Sequence, residues 1–429
     1  MVLAPGSQTH RWLLPGSVQV APAFHGFMMA PLPASESIQD ALLTLISDAT
    51  VRAGGILPFA RFMELSLYAP ELGYYERSSN AVGRHGDFYT GVSVGPLLGE
   101  LLGFQFSRWL ETMASPTADA PLHLVEAGAH DGRLAADILG WFRTWRPGMY
   151  RHLQLWLVEP STRRRQWQQQ TLADFAPTVH WASDLAELRA RTGGVHGVLY
   201  SNELLDAFPV HRLAWSTARH AWEELGVSPV DGRWAWRPLP EGTRTEAAMD
   251  RERLSALPPE LLAVLPDGFA LEVSPAALDW WRRAAGTLRE GFLMALDYGF
   301  DDDAVLRPEF PAGTLRGYRR HQVCRDVLSD PGDQDLTAHV DFSAIAAAGE
   351  SAGLQTLIRA PQRRWLTQIL EATLAAPSTA PAWDPPRIRQ FQTLTHPEHL
   401  GRRFQVLVQF ARRSEFPWTG PPDTSALAR

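Results

Sequence analysis

At 429 residues, with 45% hydrophobic and 20% charged positions, the chain is long enough for one large core with insertions or two modest domains. Its net charge of −7 and the scatter of its basic residues, all 40 of them arginine, argue against a nucleic-acid partner. A single cysteine, Cys324, excludes an internal disulfide and a cysteine zinc cluster, and no apolar run reaches membrane-spanning length.

Residues 1–34 read as an unstructured leader, with no acidic residue before Glu36 and no apolar core followed by a cleavage site. The expected compartment is therefore the cytoplasm, with the mitochondrial matrix as the alternative. Residues 35–120 form an N-terminal helical cap region. Ser35 can cap a helix whose apolar stripe is Ile38, Leu42, Leu45 and Ile46. A second helix is predicted over 58–67, then a turn at 70–75, a glycine-punctuated loop at 83–90 and a long apolar helix over 97–113. Residues 114–121 have the composition of a linker.

Strands at 122–126, 153–158, 178–181 and 195–201 then alternate with helices at 133–145, 161–173 and 184–191. This spacing predicts an α/β fold with a parallel sheet and crossover helices. The alternation breaks at an insertion over 210–267, where antiparallel strands flank the turn Val230-Asp-Gly-Arg233. The core resumes over 268–413, with a strand at 292–297, lid-like loops at 300–340 and final strands at 354–359 and 404–411. A helix and the Pro-rich stretch 377–386 separate those last two strands. Residues 414–429 have the composition of a disordered tail.

The segment Leu122-His-Leu-Val-Glu-Ala-Gly-Ala-His-Asp-Gly-Arg-Leu134 carries the first functional signal. A strand runs into Glu126, a glycine-bearing turn spans Gly128 to Gly132, and a helix follows with Leu134, Ile138 and Phe142 on one face. Glycines let the backbone approach a ligand, and the N–H groups opening the helix favour an anionic group. Glu126 is a ready partner for a ligand amine or hydroxyl. Together these features predict a nucleotide-like cofactor.

Glu159, closing the second strand in Trp156-Leu-Val-Glu-Pro160, occupies a position that often binds ribose hydroxyls. It follows Glu126 by 33 positions, longer than the roughly twenty of dinucleotide sites, so a nicotinamide site fits poorly. After the fourth strand, Asn202-Glu-Leu-Leu-Asp-Ala-Phe-Pro209 brings Asn202, Glu203 and Asp206 to the same end of the sheet. Helix capping would explain Asn202 as well. The pair His396 and His399 reads as surface loop because Pro397 breaks any helical face, and no metal is expected. The runs Arg163–Arg165 and Arg363–Arg364 read as solvated helix faces.

These residues carry a family resemblance. The chain resembles MidA-type class I S-adenosylmethionine-dependent methyltransferases, a family linked to mitochondrial complex I assembly, in which the mitochondrial members methylate protein arginine. The matching segments are Leu72-Gly-Tyr-Tyr75, Gly86-Asp-Phe-Tyr-Thr90, Glu126-Ala-Gly128 with Gly132, and Val158-Glu-Pro-Ser161. Further on are Asn202-Glu203 with Asp206-Ala207 and Pro209, Leu296-Asp-Tyr-Gly299, and Asp335-Leu-Thr-Ala-His-Val-Asp-Phe342. They occur in the family's order over residues 55–345.

The resemblance implies a Rossmann-like class I methyltransferase fold: a seven-stranded sheet, mostly parallel, with an antiparallel final strand. It implies S-adenosyl-L-methionine as cofactor, with Glu126, Gly128 and Gly132 at its methionine end and Glu159 at its ribose. Asp184 is a candidate for the adenine edge. The family pattern has glycine where this chain has His130. A side chain there either crowds the methionyl carboxylate or donates a hydrogen bond to it.

Methyl transfer from a sulfonium needs positioning and water exclusion more than acid–base help. Carboxylates can pin an arginine guanidinium through paired hydrogen bonds, and Glu203 is the first choice for that role, Asp206 the second. The loop carrying Asp87, Phe88 and Thr90 is expected over the cofactor, with Asp335 and His339 contributed from a lid. A protein arginine is the expected acceptor, and a homodimer is compatible with the sequence. A small-molecule acceptor and a non-catalytic assembly protein on the same scaffold are the alternatives. More remote is a serine hydrolase, because Gly91-Val-Ser-Val-Gly95 matches a nucleophile elbow and Ser93, Asp297 and His339 fall in the right order. No strand leads into that serine, and no HGGG-type oxyanion segment appears.

Overall fold

The computed structural model describes residues 37–77, 91–113, 121–301, 306–319, 322–324, 326–397, 400–401 and 404–412. Its central sheet contains β1 (Leu122–Ala127), β2 (Leu153–Val158), β3 (Val179–Ala182), β4 (Val195–Asn202), β5 (Leu288–Phe300), β6 (Gln355–Pro361) and β7 (Phe404–Arg412). They lie in the order β3-β2-β1-β4-β5-β7-β6. The pairs from β3 to β5 are parallel, and β7 runs against both its neighbours. An eighth strand of two residues, Val340–Asp341, extends the sheet beside the end of β5.

The apolar strands are covered on both faces, as a parallel sheet requires. On one face the helices Leu97–Glu111, Arg133–Trp145 and Gln362–Ala375 bury Phe106, Trp109, Ile138, Phe142 and Trp365. On the other, the helices Leu185–Thr192, Pro275–Thr287 and Phe342–Ser351 bury Leu188, Trp281 and Ile345. The stripe Leu134, Ile138 and Phe142 is fully inside. Strand order reverses between β1 and β4, which each start a chain path leading away from the other. The carboxyl ends of these two strands therefore bound a crevice, the usual ligand position in such sheets.

A second sheet orders Leu57–Pro58, Ala221–Val230, His211–Ser216 and Ala270–Val273, with Arg233–Pro238 also paired to Ala221–Val230. The hairpin turns through Asp231 and Gly232, both at positive φ (48° and 76°), as a two-residue hairpin turn of this hand demands. This sheet is not confined to 210–267: it recruits one edge from the N-terminal region and another from beyond the insertion. The helices Ile38–Arg52 and Phe59–Tyr68 pack Leu42, Ile46, Phe59 and Phe62 into a core shared with Val210, Val227, Leu328 and Leu336.

Two expectations need correction. The 300–340 region is more than loops, since Arg316–Arg319, Gln322–Cys324 and Asp335–Thr337 form a three-stranded antiparallel sheet. The Pro-rich stretch runs into a helix, Pro385–Thr395, capped by Asp384 with prolines in its first turn, where their missing N–H costs nothing. The leader, the 114–120 part of the linker and the tail lie outside the described residues. Among the described residues no helix is long and apolar enough to cross a membrane.

Candidate active site

The crevice at the ends of β1 and β4 holds about 1040 Å³ of space, its open mouth included. It gathers Glu126, Gly128, His130, Asn202, Glu203 and Asp206, which the sequence had placed at one end of the sheet. Asp335 enters from the small sheet over the opening. Gly132 does not line the cleft, but at φ 86° it closes the turn and caps the helix Arg133–Trp145.

At the end of β1, Glu126 takes an almost solvent-free position, where Tyr200 Oη donates to Oε2 at 3.0 Å. Burial pushes this carboxyl up to about 8, the tyrosine bond pulling the other way. A cation placed beside it would restore the ionised form. Gly128 follows at φ 73°, and a Cβ there would lie 2.8 Å from Leu204 Cδ1. The next strained residue is His130, at φ 46°. Its Nδ1 is 3.9 Å from Asp131 Oδ1, and its carbonyl accepts Gln168 Nε2 at 3.0 Å.

Four carboxyl groups, those of Glu203, Asp206, Asp297 and Asp335, cluster at the end of β4. Glu203, also at positive φ (52°), follows β4 directly, and its Oε1 accepts from Gly91 N–H and Asn202 Nδ2, both at 3.2 Å. Burial, with Asp297 adding repulsion, raises this carboxyl to about 8. Asp206 is driven well above its ordinary range by burial and then by Asp297, Asp335 and Glu203. Asp297, fully enclosed at the end of β5, accepts the amides of Leu204, Leu205 and Tyr298 at 3.1, 2.7 and 2.8 Å. It thereby fixes the backbone that presents Glu203 and Asp206. Burial raises it to about 7 against those bonds.

Several predicted residues sit elsewhere. Glu159 stands behind the wall, 1% exposed, accepting Ser161 N–H at 3.0 Å and Gln168 Nε2 at 3.2 Å. Asp184 is an exposed N-cap that accepts Glu187 N–H at 2.8 Å, and it does not line the cleft. His339 packs its ring 4.9 Å from Phe300 and 5.7 Å from Phe310, outside the cleft lining, where Thr337 is found instead. Asp87, Phe88 and Thr90 lie outside the described residues, as does His399. Among the described residues no cluster could hold a metal ion.

Among the described residues no hydrolase geometry surrounds Ser93. This residue lies in a single helical turn, Val92–Val94, directly after a turn at Gly91. The carboxylate of Asp297 is committed to backbone amides.

Four contributors escaped the sequence reading: Tyr68, Tyr75, Arg164 and Gln168. Tyr68 Oη donates to Ala207 O at 2.8 Å, and its ring lies 5.4 Å from that of Tyr75. Arg164 belongs to a run expected on a solvated face. Instead its Nε and Nη2 donate to Tyr75 O at 3.2 and 3.1 Å, and its guanidinium sits 4.9 Å over the Tyr75 ring. Gln168 joins the cofactor turn to Glu159 and accepts Trp181 Nε1 at 2.9 Å. The Tyr74-Tyr75 pair within a quoted segment was the one available signal.

Residues 101–359 match the model of a family described as S-adenosyl-L-methionine-dependent methyltransferase. A solved structure from Burkholderia thailandensis, bound to S-adenosyl-homocysteine, is similar at 30% identity with a TM-score of 0.74, covering 90% of this chain and 95% of that one. The rat protein named protein arginine methyltransferase NDUFAF7, mitochondrial, is 29% identical over 385 residues, 82% of this chain and 81% of its own. Its human counterpart of the same name is 27% identical over 383 residues, 82% of this chain and 80% of its own.

Proposed function

The chain belongs to the family of S-adenosyl-L-methionine-dependent methyltransferases, and on that premise we propose that it methylates a guanidinium nitrogen of arginine in a protein partner. The observation that carries this reading is the carboxyl cluster of Glu203, Asp206 and Asp335 in the same cleft as the glycine turn after β1. The relatives named protein arginine methyltransferase support the acceptor class. Their names place them in mitochondria, which favours the second of the two expected compartments over the cytoplasm.

The residues present fit the cofactor. Glu126 is a buried carboxyl whose ionised form a cation would restore, Asn202 Oδ1 is buried without a hydrogen-bond partner among the described residues, and Gly128 lines the cleft on left-handed backbone. Glu126 and the Gly128–Gly132 turn would hold the amino-acid end, with Asn202 at the cleft floor. When bound, the cofactor supplies an electrophilic methyl group on a sulfonium, and the chain must deliver a nucleophilic nitrogen in line with it.

An arginine side chain arrives as a cation in which every nitrogen carries protons. Glu203, its Oε1 fixed by Gly91 and Asn202, ionises against that cation and pins one edge of the guanidinium. Asp206 and Asp335 bound the other side. As the new N–C bond forms, the methyl–sulfur bond would break to leave a neutral thioether, and the nitrogen gives up one N–H proton. Glu203, already at that edge of the guanidinium as a carboxylate, is placed to accept it. The Tyr68 and Tyr75 rings exclude water and offer an aromatic face of the kind Arg164 already uses.

The test is Glu203→Gln, which keeps the size and removes the charge. Cofactor binding by calorimetry is expected within about two-fold of wild type, while methyl transfer falls by roughly 10²-fold or more. Wild-type turnover in this variant would remove Glu203 from the chemistry.

A further inference from the structure

Of the six non-glycine residues at positive φ among the described residues, only His130 and Glu203 line the cleft. Such a backbone costs on the order of 1 kcal/mol for a residue with a Cβ, and glycine would relieve it. Glu203 has a role in the acceptor reading above. His130 so far has none.

The cofactor's amino-acid end is a zwitterion, with ammonium and carboxylate on one carbon. A site that takes the ammonium on Glu126 must also offer donors to the carboxylate on the same carbon, from the N–H groups opening the helix and from side chains, or leave a buried anion unmatched. Among the described residues, Arg133, Arg164 and His130 are the basic groups lining the cleft. Arg164 is committed to the Tyr75 carbonyl through Nε and Nη2, with Nη1 3.9 Å from Glu159. Arg133 holds Asp131 Oδ2 at 3.0 Å with its side chain mostly in solvent. The imidazole of His130 is different: Nδ1 lies 3.9 Å from Asp131 Oδ1, and Nε2 is the nitrogen not turned to that carboxylate. Its backbone is held by Gln168, itself fully buried and bonded to Glu159 and Trp181.

We propose that His130 is the carboxylate-recognising residue of the cofactor site, its imidazole oriented by Asp131 to donate to the anionic end of the cofactor. This rests on the methyltransferase reading and adds a specificity determinant: a side-chain donor carried on a left-handed turn that glycine would adopt without strain. Asp131 and Arg133 act as positioning residues, the arginine holding the aspartate that holds the ring.

The test crosses a change in the protein with a change in the ligand. Affinities for S-adenosyl-homocysteine and for its decarboxylated analogue are measured by calorimetry on the full chain, for wild type, His130→Gly and His130→Asn. Glycine and asparagine both tolerate the left-handed turn, so neither variant loses the fold through backbone strain. The expected result is a loss of about ten-fold or more for S-adenosyl-homocysteine in both variants, with the decarboxylated analogue changed by less than about two-fold. Equal losses for the two ligands would show a merely structural role and overturn the inference. Unchanged or tighter binding of S-adenosyl-homocysteine by the glycine variant would show crowding and overturn it too, as would a wild type that binds neither ligand. Because the readout is cofactor binding alone, failure to find methylated arginine would count against the proposed acceptor and leave this result standing.

Discussion

Tyr75 Oη donates to Asp335 Oδ1 across 2.7 Å, joining the turn that follows the N-terminal helices to the small sheet over the cleft. The two residues are 260 positions apart, and the contact brings an acidic group and an aromatic ring to one wall of the site. Arg77 makes a parallel link from the same turn to Asp333. Tyr75→Phe removes one of these ties while keeping the ring. The variant is expected to lose about 1–2 kcal/mol of stability in urea unfolding and to raise the KM for the acceptor more than it lowers kcat. An unchanged KM would show that the contact does not shape the acceptor site.

Stability should respond to pH in a direction set by the cleft. Burial holds Glu126 and Glu203 at about 8 and Asp297 at about 7, whereas in the unfolded chain carboxyls titrate near ~4. The fold therefore carries protons that the unfolded chain has released. Their contribution is complete below about pH 4 and is lost as pH rises through 7 to 8. His123, buried at the opposite end of β1, is held down to about 4, so its contribution is present above roughly pH 6.5 and is lost as pH falls towards 4. Above about pH 6.5 the carboxyls act alone. The thermal midpoint of the ligand-free protein is expected to fall between pH 6.5 and 8.5, and saturating cofactor, with its cationic groups, should flatten that fall. A midpoint that holds or rises would contradict the electrostatics described for the cleft.

Gly128→Ala should separate fold from cofactor binding. The new Cβ meets Leu204 Cδ1 at 2.8 Å and must adopt φ near 73°. The close contact is with the tip of the Leu204 side chain, which can rotate away, so the left-handed backbone carries most of the cost. A cost of about 1–3 kcal/mol is expected in urea unfolding, with a weakening of cofactor binding larger than that cost explains. Wild-type affinity measured by calorimetry would mean that the turn is not in contact with the ligand.

Gln168 offers a test of the scaffold behind the site. Its side chain is wholly buried and bonds to His130, Glu159 and Trp181. Gln168→Leu leaves the buried Glu159 carboxyl with one partner fewer and frees the His130 carbonyl. Destabilisation of about 2–4 kcal/mol is expected, accompanied by faster cofactor release in stopped-flow measurements. Unaltered release would restrict Gln168 to a structural role.

What could be read from the sequence is what is encoded locally. The strands after Pro121 declare themselves by apolar runs, and the helix Arg133–Trp145 by the spacing of Leu134, Ile138 and Phe142. The turn between Gly128 and Gly132 was legible because left-handed backbone selects glycine, whereas His130 drew notice only because the resembled family has glycine at its position. The rest depends on contacts between distant segments. Nothing near Leu57-Pro58 announces an edge strand whose partner lies at Gly226 and Val227. The role of Arg164 follows from where Tyr75 folds back, and a run of three arginines reads as solvent-facing until that partner is known. Pro385 and Pro386 read as a break because proline ends helices, yet the same residues suit a helix start once Asp384 is recognised as its cap. Asp184 was misdirected by the opposite confusion: an acidic residue after a strand is a ligand partner or an N-cap, and only the bond to the Glu187 amide tells which.

The central claim is that this cleft transfers a methyl group to arginine. The most direct measurement incubates the purified chain with methyl-tritiated S-adenosyl-L-methionine and a protein extract, followed by acid hydrolysis and chromatographic separation of the labelled amino acids. Label in methylarginine, absent with Glu203→Gln, is the predicted result. Label confined to small molecules or to other amino acids, or no transfer from a cofactor that demonstrably binds, would contradict the account.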